Sequence, residues 1–122
     1  MNTIKVNPQI EWRVINERKY LYFLFEGNFT KEDASHGVVK WRELMGPEQT
    51  KKELIWNCIN MSGYKPEARI QWQKAITEHK DRIDIIWLIT NSALIQAGAR
   101  IMSLFTPYNF KVVKSEEDIK SI

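Results

Sequence analysis

The stretch Ile83-Asp84-Ile85-Ile86-Trp87-Leu88-Ile89 constrains the fold of this chain more tightly than any other. Asp84 is its only polar residue. So short and continuous an apolar run has no side to give to water, which is the pattern of a central strand covered on both faces of a sheet. A chain with such a strand must supply helices to cover it. Its 122 residues suffice for one domain, and a chain of that size buries roughly two thirds of its unfolded surface without a disulfide or metal staple.

The other elements fall into place around that strand. Residues 10–15 and 20–25 are rich in β-branched and aromatic side chains and flank the polar run Asn16-Glu17-Arg18-Lys19, a hairpin signal without the Asn-Gly pair that would strengthen it. Gly27 is expected to end the second strand. Thr30 with Asp33 resembles a capping box, and Ala34, Val38, Trp41 and Met45 share one face of the helix it opens, which Gly46-Pro47 stops. Residues 54–59 form the next strand. Pro66 suits the first turn of a second helix with Ala68, Trp72, Ala75 or Ile76, and His79 inward. After the apolar strand, Asn91 or Ser92 caps a third helix that runs to Phe105, with Leu94, Gly98, Ile101 and Phe105 inward and Pro107 beyond it. Residues 110–113 are a last strand, and Ser115 with Asp118 opens a short final helix.

The order ββαβαβαβα implies an α/β fold with a mostly parallel five-stranded sheet and an antiparallel N-terminal β-hairpin. Residues 1–122 make one domain, with 1–9 preceding it as an extension. In each strand one alternate set is wholly apolar: Trp12 and Val14; Leu21, Phe23 and Phe25; Leu54, Trp56 and Cys58; Ile85, Trp87 and Ile89. Period-2 alternation puts these under the helices. The mixed sets then form a second, less covered face carrying Tyr20, Tyr22, Ile55 and Ile86.

Signs of chemistry are sparse. With 18 Lys+Arg against 15 Asp+Glu the net charge is +3, and acids interleave with bases, as in Glu78-His79-Lys80-Asp81-Arg82. A nucleic-acid surface gathers its basic residues on one face, so no nucleic-acid partner is expected. His36 and His79 lie on separate helices outside any metal-ligand spacing, so no metal site is expected. Neither a Gly-rich phosphate loop nor any other cofactor motif occurs. Cys58, the one cysteine, lies within a strand, where a thiol behaves as a small apolar group. Its solitude favours a reducing compartment. No segment approaches the ~18 consecutive apolar residues of a membrane span, and the first eight residues lack a signal-peptide core, so the expected location is cytoplasmic.

Ligands of open α/β sheets meet the carboxyl ends of the strands. Two connections qualify. One spans residues 60–67, with Ser62, Gly63, Tyr64, Lys65, Pro66 and Glu67 as candidate interaction residues. The other is Thr90-Asn91-Ser92, where Asn91 and Ser92 stand at a helix N-terminus.

The strand and turn Leu54-Ile55-Trp56-Asn57-Cys58-Ile59-Asn60-Met61-Ser62-Gly63, the segment from Ile85 to Ser92 with the following Ala97-Gly98-Ala99-Arg100, and the closing residues 110–119 together resemble a SpoIIAA-like domain. That fold is shared by STAS domains, among them bacterial anti-sigma factor antagonists, and the likeness is nearest to a stand-alone branch sometimes grouped with lipid-binding Sec14-type domains. The resemblance covers about residues 10–122. In regulatory STAS domains it implies a phosphorylatable Ser after the third strand. Here Pro66 or Glu67 stands in that place, so this switch does not transfer. Glu67 has the charge of a phosphorylated form, yet an acid in a helix's first turn is favourable for dipole reasons alone.

The resemblance and the absence of a catalytic set imply a non-enzymatic binding or regulatory module with a protein partner. The alternative is a carrier of a lipid or other apolar small molecule, since five Trp and four Tyr are many for this length. A partly apolar second sheet face would also support a homodimer.

Overall fold

The computed structural model describes residues 6–104 and 109–119. β1 (Gln9–Ile15) and β2 (Arg18–Phe29) are followed by α1 (Lys31–Met45), β3 (Lys52–Tyr64) and α2 (Pro66–Glu78). A 3-10 turn (Lys80–Arg82) leads into β4 (Ile83–Ile89), α3 (Ala93–Ser103), β5 (Asn109–Val113) and a closing 3-10 turn (Glu116–Asp118) in place of the expected final helix. The sheet order is β1-β2-β3-β4-β5, with β1 antiparallel and the rest parallel. Parallel neighbours taken in sequence order, joined by right-handed crossovers, put every helix on one face.

Local chemistry explains the boundaries. The hairpin turns on only two residues, Asn16 and Glu17, because Arg18 and Lys19 already pair with Ile15 and Val14. Both turn residues are left-handed, with φ of 51° and 68°, the geometry that suits the twist of a two-residue hairpin. The Thr30 hydroxyl accepts from the Asp33 amide at 3.2 Å and the Asp33 carboxylate accepts from the Thr30 amide at 3.1 Å, completing the capping box of α1. Ser92, rather than Asn91, caps α3 by accepting from the Ile95 amide.

The helix side of the sheet holds a ring cluster. Phe23 lies 5.1 Å from Trp41 and 5.9 Å from Trp72, both nearly perpendicular to it, and Trp41 lies 5.1 Å from Trp72. Trp41, Trp56 and Trp72 leave their indole N–H groups without an acceptor, so apolar contact and ring geometry hold the cluster rather than hydrogen bonds. Gly37 lets α1 approach α2, since a Cβ there would sit 2.9 Å from Trp72.

The other face differs from expectation in two ways. Ile86 is on the helix side: Leu54 pairs with Ile86 and Trp56 with Leu88, while Ile55 pairs with Trp87 and Asn57 with Ile89. A strand apolar on both faces carries no alternation to say which set points inward, so Ile85, Trp87 and Ile89 take the second face. That face is also closed within one chain. Tyr20, Tyr22, Ile55, Trp87 and Ile89 are buried and share a cluster with Ile119 from the closing segment. Glu116, just upstream, lies 3.8 Å from Arg13, whose guanidinium rests 3.8 Å over the Tyr22 ring. The surface on which a homodimer was expected is therefore covered. Val14, on the edge strand, is exposed rather than buried.

On α3 the inward residues are Ile95, Gly98, Ala99 and Met102, not Leu94 and Ile101, which are 54% and 39% exposed. The helix is apolar over most of its circumference, so its spacing admits both faces. Phe105 and Pro107 lie outside the described residues.

His79 is buried where α2 ends, its ring tilted 5.1 Å from that of Trp41. The Arg82 guanidinium donates to Nδ1 at 2.9 Å and to the Gly46 carbonyl at 2.6 Å, tying α2 to the end of α1. Burial holds the imidazole pKa below its ordinary 6.5; Glu78 opposes this, and the Arg82 and Arg42 charges reinforce it.

Two outcomes follow for stability. Glu17→Gly removes a left-handed side chain and raises unfolding free energy by about 1 kcal/mol, read from urea denaturation at pH 7. The unfolded chain binds a proton that native His79 excludes, so His79 contributes stability above pH 6.5 that is lost as pH falls further. The urea midpoint declines from pH 6.5 toward 5, and His79→Gln flattens that slope.

Candidate functional site

β3 runs five residues beyond its expected end at Ile59, and the first consequence is its register. Leu24 pairs with Asn57, but Glu26 pairs with Asn60; Gly27 pairs with Met61, but Asn28 pairs with Gly63. At each step β3 holds one residue more than β2. Such bulges re-aim side chains by breaking the two-residue alternation. Cys58, Met61 and Tyr64, three apart in sequence, thereby all line the helix side.

Beyond Asn57, where β3 last pairs with β4 at Ile89, only β2 and β3 continue, as a projecting ribbon that ends where the Lys65 amide donates to the Phe29 carbonyl at 2.9 Å. Between that ribbon, α2 and α3 lies an apolar cavity of about 50 Å³. Phe25, Phe29, Trp56, Met61 and Trp72 contribute much of its wall, with Ile95, Ala99 and Met102 of α3 opposite. Its position at the carboxyl-terminal half of β2, β3 and β4 is where open α/β sheets bind ligands.

Two residues define its edge. The Tyr64 ring rests on α3 where Gly98 has no side chain; a Cβ there would lie 2.7 Å from Oη and 2.9 Å from Cζ. Arg69, in the second turn of α2, is the only charged residue lining the cavity among the described residues. Its side chain donates to Gln73 Oε1 at 3.4 Å. Cys58 also lines it, and burial pushes its thiol pKa far up, which leaves it protonated and unreactive as a nucleophile.

The expected interaction residues distribute around this feature. Ser62, Gly63 and Tyr64 belong to β3 rather than to a loop. The hydrophobic-pattern end at Ile59 concealed the strand, because the bulges place polar Asn60 and Ser62 at the surface. Lys65 precedes α2, Pro66 opens it, and Glu67 lies exposed in its first turn. Asn91 is exposed and Ser92 is occupied as a cap. Of the candidates, Tyr64 alone lines the cavity. Tyr20, Tyr22 and Ile55 are on the far side of the sheet, with Tyr22 Oη accepting from Asn57 at 2.7 Å. The residues that sequence did not single out as site residues are Phe29, Arg69 and Trp72. Arg69 carried the one available signal, a cation one turn into a helix beside Ala68 and Trp72.

A second depression, about 400 Å³, lies at the opposite end of the strands among Arg18, Lys19, Lys51, Lys52, Glu48, Glu53 and Asp84. Its charges are of both signs, and Lys52 Nζ is already engaged by the Thr50 carbonyl at 2.7 Å, so it offers no uniform field to an ion. Among the described residues no group of His, Cys, Asp and Glu could hold a metal ion, and no helix is long and apolar enough to cross a membrane.

No protein-family model matches the chain, and no curated protein matches it. Among solved structures, the chain is similar to an uncharacterised protein of the DUF3478 family from Shewanella loihica PV-4, described as having a SpoIIAA-like fold. The TM-score is 0.79 over 97% of this chain and 94% of that one, at 18% identity. The fold is SpoIIAA-like. At that identity the likeness concerns architecture, and the SpoIIAA-like sheet with its N-terminal hairpin agrees with the order expected from sequence.

Sealing of this SpoIIAA-like cavity is measurable through Cys58. A thiol reagent at pH 8 labels it stoichiometrically in denaturant and negligibly in native buffer, whereas Tyr64→Ala, which removes one wall, makes native labelling fast enough to time.

Proposed function

We propose that this protein is a non-enzymatic binding module that holds a small apolar molecule in the cavity between α2, α3 and the β2–β3 ribbon. The observation that carries this is the lining: an apolar wall in which, among the described residues, Arg69 is the only charged group and Cys58 is held protonated by burial. Catalysis by acid–base or nucleophilic routes requires a base beside a reacting group, and among the described residues the cavity lining contains no carboxylate and no imidazole. The regulatory hydroxyl of STAS switches has no counterpart at Pro66 and Glu67, which favours binding without phosphorylation control. A lone buried thiol suits a reducing, cytoplasmic setting.

A protein partner is the second reading. It is favoured by Leu94, Ile101 and Leu104, which stand exposed on α3 at spacings that share one helical face.

Native mass spectrometry after gentle purification, combined with a tryptophan-fluorescence titration, tests the proposal. Trp56 and Trp72 lie in the wall, so an apolar probe such as 1-octanol changes their emission saturably. At a hundredfold excess over Kd it stabilises the fold by about 2.7 kcal/mol. A bare mass together with an unsaturable titration overturns the proposal.

A further inference from the structure

The cavity does not treat all apolar molecules alike, because one arginine stands in its wall with most of its donors unspent. Arg69 makes one side-chain hydrogen bond, the 3.4 Å contact to Gln73, and no ion pair to a carboxylate among the described residues. Two arginines elsewhere show the contrast. Arg42 makes two bonds of 2.6 Å to Glu78, and Arg82 bridges His79 and Gly46. A guanidinium is a planar fork of five donors that matches the two oxygens of a carboxylate or the oxygens of a phosphate. Beside an apolar hole, such a fork selects a molecule with an anionic end.

Size supplies the second half. At about 50 Å³ the cavity is smaller than the ~150 Å³ that accepts benzene in an engineered core. A ligand of that size or larger therefore fits only by displacing a wall, and the walls are not equally fixed. Phe25, Trp56 and Trp72 are locked together at centroid distances of 5.7 to 6.3 Å. Tyr64 is half-buried at the tip of the projecting ribbon and rests by contact on Gly98. Among the described residues its hydroxyl has no hydrogen bond to break. It is the wall that yields.

We infer that the cavity takes a single-tailed amphiphile with an anionic head, such as a medium-chain carboxylate, with the tail between α2 and α3 in space vacated by Tyr64 and the head on Arg69. This rests on the proposal that the cavity binds an apolar molecule, and it adds the class of molecule and the residue that selects it. Glu67, two residues before Arg69 and exposed, faces solvent and does not pair with it, so the fork is free to receive the head.

The experiment compares sodium octanoate, kept below its micelle concentration, with 1-octanol, by tryptophan fluorescence and calorimetry. The wild-type chain, Arg69→Gln and Tyr64→Ala are measured in turn. Wild type binds octanoate about tenfold more tightly than octanol, the worth of a charge-assisted contact. Arg69→Gln reduces that ratio to about one, and an unchanged circular dichroism spectrum and urea midpoint report that the variant is folded. Tyr64→Ala tightens both ligands. Equal affinities in wild type, or a preference for octanoate that survives Arg69→Gln, overturn the inference and leave the apolar site standing. Binding of neither ligand overturns both.

Discussion

Between the pairs Tyr20–Glu53 and Phe29–Tyr64, β2 advances nine residues and β3 advances eleven. The two extra residues have nowhere to go but outward, and the rest of the site depends on how they are absorbed. Had β3 kept strict alternation, Cys58 and Met61 would face opposite sides of the sheet, and so would Met61 and Tyr64. Two bulges bring all three to the helix side and carry the ribbon past the end of β4. The ribbon then meets α3 at Gly98, the one position on that helix where the Tyr64 ring can lie against backbone.

The core and the cavity are continuous, which explains why one is tight and the other is not. Phe23, Trp41 and Trp72 fill the space between α1, α2 and the amino-terminal half of β2 with interlocked rings. Toward α3 the large side chains give way to Gly98 and Ala99, and rings of fixed shape leave a gap there that small residues do not fill. Interiors packed to crystal density seldom leave such space. On the outer face of the sheet Tyr22 and Trp87 are buried in one cluster with Ile119, so the closing segment serves as cover there.

The architecture was legible because its signals are local. Thr30 and Asp33 announced α1, Gly46-Pro47 stopped it, and the run from Ile83 to Ile89 announced a central strand. Failures came where a local signal had two solutions or none. β4 is apolar on both faces, so Ile86 could be placed only through its pairing partner Leu54. α3 is apolar around most of its surface, so Leu94 and Ile95 competed for the inward position. Bulges in β3 depend on a strand far away in sequence, and the polar residues they expose look like a loop. Gly98 was legible as an inward position of the third helix, but that Tyr64 packs against it was not.

The central claim is that β3's irregular register leaves an apolar, ligand-accepting cavity beneath Tyr64. A crystal of the protein under xenon pressure tests this most directly, since xenon occupies dry apolar cavities and ignores filled cores. A xenon peak is expected among Trp56, Trp72 and Met102. A well-diffracting xenon-treated crystal with no peak there, and with those side chains in mutual contact, would contradict it.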